Sequence, residues 1–319
     1  MNIKSIIIVG AGQLGQRHLQ SLAAFASVET LYVIEPSSDA RLQAKERFMQ
    51  VSGHETKQLH FTDFTELKLN SVKIDAAIIA TLSCDRVAVL SDVLSLGIHY
   101  ILCEKVLFQS VADYQEALRL TNEKKAHVYV NHILRYTPQF MEIKHHISTK
   151  IQPVTMCVEA GDAGFGCNVI HTLDIFEYLT GHHLLELQAE INRPFLHNKR
   201  GAGFIEFTGN AQGKTGEGDI IEVRYAGNLS TLPVIKITVG DDHFIVDQQA
   251  GTYTKNGNIS PFAMPMVSAL TSQIMLDIVA GTCVLPTIKQ NFNVNCLMLN
   301  AFNRSLQGSF DDNTRCSIT

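Results

Sequence analysis

Short apolar runs alternate with helical spacings over residues 1–132: SIIIVG, LYVIE, a weaker QLHF, AAIIAT, YILCEK and HVYVNH read as strands. Ile6 to Val9 form a continuous branched run, which suits a parallel strand buried on both faces. Leu19, Leu22, Ala23 and Ala26 then recur at helical spacing. Behind an S-x-x-D capping signal at Ser110 and Asp113, residues Tyr114, Ala117, Leu118 and Thr121 do the same. Strands alternating with helices predict a doubly wound parallel sheet. After RYTPQF the pattern changes to a helix near 168–180 and strands around 186–193, 203–208, 219–225, 233–239 and 242–247. Strands that follow one another without helices predict an antiparallel sheet. Two further helices are expected near 264–280 and 288–306, and the polar tail from Phe310 is expected to fray.

The first strand breaks into GAGQLG, and a helical pattern follows it. In that setting Gly10 makes the tight turn, Gly12 lets the backbone approach a pyrophosphate, and Gly15 lets helix and strand lie close. The helix-start N–H groups, at Gln13 and Leu14, would face the phosphates. Glu35, 20 residues after Gly15, ends the second strand, where its carboxylate can accept from the adenosine ribose hydroxyls and repel a 2′-phosphate. NAD is therefore expected over NADP, although Ser37, Ser38 and Arg41 could help to hold a phosphate. The fold class is α/β: a dinucleotide-binding Rossmann domain over 1–132, then an α+β substrate and oligomerisation domain with a mostly antiparallel sheet over 133–319.

At 319 residues the chain suits two cores, and 18% charged with 45% hydrophobic residues is a globular balance. A net charge of −5 with no block of Lys and Arg argues against nucleic acid. No apolar stretch approaches the roughly 20 residues that span a bilayer, and the first strand starts almost at Met1, so a soluble cytoplasmic chain is expected. Seven cysteines without metal-ligand spacing read as reduced thiols, and no metal is expected. The adjacent pairs His145–His146 and His182–His183 read as exposed or capping residues. AQGKTGEG at 211–218 imitates a phosphate loop, but Thr208 stands where its first glycine belongs, so a hairpin loop is expected.

Ligands of open α/β sheets bind beyond the carboxyl ends of the strands, which singles out Thr81, Glu104, Lys105, Asn131 and His132. A lysine there could bind a substrate oxygen and stabilise negative charge during hydride transfer, with Glu104 orienting it and binding ribose; a surface ion pair is the alternative. In GCNVIHTLDIFEYLTG, His171 and Asp174 share a helix stripe with Ile175 and Tyr178. A histidine beside a carboxylate could take a proton from a sugar hydroxyl, or it is simply a satisfied histidine near the domain junction.

GAGQLGQRH, ATLSCDR, CEK, RYTPQF and HTLD, in this order, resemble the Gfo/Idh/MocA family of nicotinamide-dependent sugar and polyol oxidoreductases. The resemblance implies a large open C-terminal sheet, often buried in a homo-oligomer, with Lys105 as the catalytic lysine, His171 as the catalytic histidine and Asp174 as the motif's final acid. Set against the family's E-K-P motif, Val106 replaces the Pro; set against its D-x-G-x-H-x-x-D motif, Cys167 replaces the first Asp and Val169 the Gly. Loss of that acid leaves the substrate open, and Asn168 could take over some of its polar role. Asn131, Arg135, Tyr136, Cys167 and Asn168 are the expected substrate contacts. GAGQLGxRHLQ, CNxIHxxD and NKRxGxxEFTG are also similar to a subgroup associated with bacterial surface-polysaccharide and sugar-nucleotide pathways. There Lys199 and Arg200 could reach a substrate phosphate, or form a solvated turn. The expectation is an NAD(H)-dependent oxidoreductase acting on a sugar, sugar phosphate or nucleotide sugar. The alternatives are a non-catalytic NAD-binding sensor or scaffold, and a family enzyme for a diol or tetrapyrrole.

Overall fold

The branched run at 6–9 forms a central strand because both of its faces are covered. Ile6, Ile7 and Ile8 are fully buried, each burial being worth about 1.5–3 kcal/mol. A computed structural model describes residues 3–198, 200–201, 203–227 and 232–319. From the amino end the elements are β1 (Ser5–Val9), α1 (Gln13–Ala23), β2 (Thr30–Ile34), α2 (Ser38–Met49), β3 (Gln58–Phe61), α3 (Phe64–Leu69), β4 (Ala76–Ile79), α4 (Arg86–Ser95), β5 (Tyr100–Cys103), α5 (Val111–Glu123) and β6 (His127–Val130). There follow α6 (Pro138–Ile147), β7 (Val154–Ala160), α7 (Phe165–Thr180), β8 (Leu184–Ile191), β9 (Gly209–Thr215), β10 (Ile220–Tyr225), β11 (Val234–Val239), β12 (Asp242–Asp247), β13 (Thr252–Lys255), β14 (Asn258–Pro261), α8 (Val267–Ala280) and α9 (Phe292–Gln307).

The described chain divides into two units. The first comprises residues Met1–Phe108, Asp113–Asn131 and Pro265–Lys289. Where the sequence suggests one cut after residue 132, the chain therefore leaves this unit after Asn131 and returns to it with α8. Its six strands are all parallel in the order β3-β2-β1-β4-β5-β6, the doubly wound order. The ladder continues past the strand ends. The N–H groups of Gly10, Ala80, Glu104 and Asn131 donate to the carbonyls of Ile34, Val9, Ile79 and Cys103 at 2.8–2.9 Å. Residues at this carboxyl edge are thus fixed by the sheet itself. Helix α8 packs on α1, where Ser272 Oγ donates to the Ser21 carbonyl at 2.8 Å.

The second unit comprises Gln109–Ala112, His132–Met264 and Gln290–Thr319. Its eight strands run β14-β13-β12-β11-β7-β10-β9-β8, and every neighbouring pair is antiparallel except β7 with β10. One expected strand, 203–208, is not formed: only an isolated Leu196–Glu206 bridge occurs there. The strand lies at Gly209–Thr215 instead and takes in the first five residues of the 211–218 stretch read as a hairpin loop, of which only 216–218 lie in the turn that joins it to β10. GNAQGKT has little strand propensity, and pairing with β8 and β10 on either side decides its conformation. Helix α6 and strands β7, β13 and β14 also go beyond the sequence reading. Nor does the tail fray. Cys316, Ile318 and Thr319 are buried, and the Cys316 N–H donates to the Gln109 carbonyl at 2.8 Å, while the Ser317 carbonyl accepts from Ile205. No helix among the described residues is long and apolar enough to cross a membrane.

Candidate functional site

The glycine loop is built as its spacing requires. Gly10 has φ +91, and a Cβ on it would lie 2.9 Å from backbone atoms of Ala80 and Thr81. A Cβ on Gly15 would lie 1.9 Å from the Gly10 carbonyl oxygen, so strand and helix touch through bare backbone. Gly12 differs: a Cβ there would meet nothing within 4 Å. The first turn of α1 thus opens onto space at Gly12, beside the exposed Gln13 and half-buried Leu14. Glu35 closes the loop from the end of β2, accepting from the Ala11 N–H at 2.7 Å and from the Ser37 N–H at 2.9 Å. At the end of β4, Thr81 Oγ1 is buried without a hydrogen-bond partner, and its carbonyl accepts from Arg86.

Arg86, on the first turn of α4, is 2% exposed, and its guanidinium also donates to the carbonyls of Glu104, Val106 and Leu107. One planar cation therefore holds the backbone on both sides of half-buried Lys105, and the Lys105–Val106 peptide is cis. The Glu104 carboxylate turns inward. Its Oε1 lies 2.9 Å from His18 Nε2 and accepts from Asn131 Nδ2 at 2.6 Å, while His18 Nδ1 lies 2.8 Å from Thr271 Oγ1 of α8. Burial alone would raise the Glu104 pKa, but the His18 ring, the Asn131 amide and the Lys105 charge together hold it below the ordinary carboxylate value. Asn131 is itself buried, and this amide bond is what it spends its side-chain nitrogen on. Neither His18 nor Arg86 stands out in the sequence as a site residue. His18 lies on the second turn of α1 and Arg86 opens α4, so both sit early in a helix that follows a strand end, which is the signal that would find them.

In the second unit, His132, Arg135 and Tyr136 lie on a short turn before α6, and His171 and Asp174 on α7. The spacing offers the Asp174 carboxylate to His171, yet it is clasped by Arg135, whose Nε and one terminal nitrogen donate to its two oxygens at 2.9 and 2.8 Å. Asn291 Nδ2 approaches the same carboxylate at 3.5 Å. His171 meets His132, with Nδ1 to Nδ1 at 3.2 Å and the rings edge to face. Tyr178, a turn beyond Asp174, has the Arg135 guanidinium 5.0 Å and the Lys144 ammonium 4.6 Å from its ring centroid.

Helix α7 starts after Gly164, at φ +83, with Glu206 as its cap. The buried Glu206 carboxylate accepts from the N–H groups of Gly166 at 2.7 Å and Cys167 at 3.2 Å, where the helix carries positive potential. An acid distant in sequence thus stands beside Cys167. The Cys167 thiol and Asn168 amide turn back toward the carbonyls of Gly164 and Ala163. Arg200 reaches Thr319 Oγ1 at 3.4 Å, while Lys199 lies outside the described residues. Three of the four histidines in the adjacent pairs have carboxylate partners: His146 with Asp242 at 2.8 Å, His182 with Asp219 at 2.8 Å and His183 with Glu177 at 3.1 Å.

Residues 4–132 match the family model described as oxidoreductase family, NAD-binding Rossmann fold. The rhizopine catabolism protein MocA of Rhizobium meliloti is 24% identical over 190 residues, which is 54% of this chain and 56% of that protein. This chain thus aligns with little more than half the length of that relative. An oxidoreductase from Agrobacterium radiobacter, solved with NAD+, L-tartaric acid and magnesium, superposes with a TM-score of 0.77 over 98% of both chains at 14% identity. UDP-N-acetylglucosamine 3-dehydrogenase GnnA from Acidithiobacillus ferrooxidans gives 0.75 at 17% identity, covering 95% of this chain and 99% of that one. The WlbA dehydrogenase from Bordetella pertussis, in complex with NADH and UDP-GlcNAcA, gives 0.76 at 15% identity over 97% of each. At these identities the likeness is one of fold.

Proposed function

We propose that the protein is an NAD(H)-dependent oxidoreductase of the Gfo/Idh/MocA family, whose model residues 4–132 match, acting on a CH–OH group of a sugar, sugar phosphate or nucleotide sugar. The observation that carries the reading is the 2.7 Å bond from the Ala11 N–H to Glu35, which joins the glycine loop to the acid expected at the ribose. The open space at Gly12 and the unpartnered Thr81 Oγ1 fit a dinucleotide as well. The residues that would hold it are the backbone of Gly10, Gly12, Gln13, Leu14 and Gly15, with Glu35 and Thr81. Bound NAD supplies the hydride acceptor.

This chain's own residues do the rest. Lys105 binds and polarises the substrate oxygen, its backbone held by Arg86 and its charge balanced by the neighbouring Glu104. His171 is the acid/base that exchanges a proton with the substrate hydroxyl. Arg135 and Asp174 neutralise each other and act as a rigid clamp below His171 on its helix. Asn131, Tyr136, Cys167 and Asn168 remain substrate-side candidates; for Asn131, the bond to Glu104 makes a positioning role the better supported one. A nucleotide sugar is supported by the names of two fold neighbours, which refer to UDP-N-acetylglucosamine and UDP-GlcNAcA. Within that class we place the protein in bacterial surface-polysaccharide metabolism, in the cytoplasm, as a homo-oligomer built through its C-terminal sheet.

The test is NAD reduction followed by nicotinamide absorbance across free sugars, sugar phosphates, nucleotide sugars and polyols, with Lys105→Ala as control. Reduction by one class that is lost in the variant supports the reading. Full activity in Lys105→Ala removes Lys105 from the mechanism. NADH binding without turnover across the panel favours the non-catalytic alternative. The chain has no Trp, so bound NADH fluorescence is read without indole background.

A further inference from the structure

The ring nitrogens of His132 and His171 that face each other are of the same kind, Nδ1 to Nδ1 at 3.2 Å. Two identical acceptors cannot bond unless one of them carries a proton, so a bond between neutral rings couples their tautomers: a proton on one Nδ1 requires a lone pair on the other. His132 is fully buried, and its position is set by the chain, immediately after Asn131 and within the turn that carries Arg135. Arg135 is in turn locked to Asp174 on the helix that carries His171. Both rings are thus held by elements tied together through a bidentate ion pair.

We propose that His132 is the proton partner of His171, so that the acid/base of this site is a histidine pair and not a histidine oriented by Asp174. The inference rests on the oxidoreductase reading above. In the resting state His171 carries its proton on Nδ1 and donates it to His132 Nδ1, which leaves the His171 Nε2 lone pair as the base. During oxidation the substrate O–H bond breaks and its proton goes to His171 Nε2. The C–H bond breaks with both electrons, which a bound nicotinamide, as the two-electron oxidant, would take up as hydride. The C=O bond forms, and the Nδ1 proton moves from His171 to His132. One proton enters the pair, and one two-electron oxidant is consumed. Reduction runs the same steps backwards. His132 acts through His171 and is a positioning and relay residue.

The experiment is nitrogen NMR on protein labelled with 15N-histidine, with His132→Phe and His132→Asn beside the wild type. Expected is a scalar coupling across the hydrogen bond between the two Nδ1 atoms in the wild-type protein, which needs no variant to fold. Expected also is a shift of the His171 tautomer populations toward those of free imidazole in His132→Phe. In turnover, kcat should fall by about 10–100-fold in both variants, with KM within about twofold, since general acid–base catalysis contributes on the order of 10²–10⁴. Absence of the coupling, with His171 tautomers unmoved in His132→Phe, overturns the pair whatever reaction the chain performs. Coupling present but kcat unchanged in both variants, on a substrate the wild type oxidises, overturns the relay. Coupling present in a protein that oxidises no alcohol overturns the relay through the reading it rests on, and the NMR result keeps that failure distinct from failure of the pair.

Discussion

His18 Nε2 lies 2.9 Å from Glu104 Oε1, both side chains almost wholly removed from solvent, so the helix after the glycine loop is tied to the residue preceding Lys105. The tie has a sign in pH. Glu104 is held below its ordinary pKa, so it stabilises the fold above the unfolded carboxylate value of about 4.3, and that contribution is lost as pH falls through the folded pKa. Glu104→Gln should cost about 1–3 kcal/mol at pH 7 and flatten the loss of thermal midpoint as pH falls below about 4.3, where the wild-type carboxylate takes up its proton. Identical pH slopes for variant and wild type would show that Glu104 is not the group responsible.

The two loop glycines should separate folding from binding. In Gly15→Ala the new Cβ meets the Gly10 carbonyl at 1.9 Å, and neither backbone can yield, so a loss of about 2 kcal/mol or more is expected. Gly12→Ala meets nothing, so it should keep the wild-type midpoint while NADH affinity falls about tenfold or more. Calorimetry and NADH fluorescence titration on the same samples check both. Unchanged NADH affinity in Gly12→Ala would move the phosphates elsewhere.

Glu35 should set cofactor choice. Glu35→Ala removes the acceptor from the Ala11 and Ser37 N–H groups and the negative charge that disfavours a 2′-phosphate. NADH should bind about tenfold more weakly, consistent with a charge-assisted bond worth about 1.5–3 kcal/mol, and the preference over NADPH should narrow. An unaltered ratio of the two affinities would rule out Glu35 as the selector.

Breaking the Arg135–Asp174 clamp should be costly, because Asp174 is 2% and Arg135 13% exposed in their side chains. Asp174→Asn strands a guanidinium and should cost about 3 kcal/mol, and adding Arg135→Met should recover part of it. A double-mutant cycle of thermal or urea unfolding measures the coupling. Strict additivity would mean that the pair contributes nothing of its own.

Thiol labelling should follow burial. Burial pushes Cys103 and Cys316 up to about 12, and both are 1% exposed. They should resist a thiol reagent at pH 8 until the protein is unfolded, whereas half-buried Cys84 and Cys157 should react in the native state. Mass spectrometry of peptides after timed labelling reads this directly.

Where burial on both faces chooses the residues, the sequence announces the element. SIIIV, AAII and YILC are legible as parallel strands, and the strand ends they fix carry Gly10, Thr81 and Glu104 to one edge. Where a strand is held by its neighbours, composition is silent, as GNAQGKT shows. The candidate site divides in the same way. Glu35 is legible because its distance from the glycine loop is dictated by one βαβ unit. The partner of His171 is not, since the i,i+3 rule pointed to Asp174 while a bidentate arginine from another turn had a better claim on that carboxylate. Glu206, 39 residues after Cys167 in sequence, reaches the start of α7 only through the tertiary fold.

Helix α8 follows the whole second sheet in sequence and yet supplies Thr271 to His18 and Ser272 to Ser21. Exchange of the C-terminal half between relatives by a single crossover after residue 132 would therefore also replace a piece of the first unit. The incoming half must bring a hydroxyl for His18 and a surface that fits α1, or the inherited glycine loop is left on an unsupported helix. Two breakpoints flanking 265–289 would spare it, so successful natural or engineered chimeras of this chain should keep α1 and α8 from the same parent.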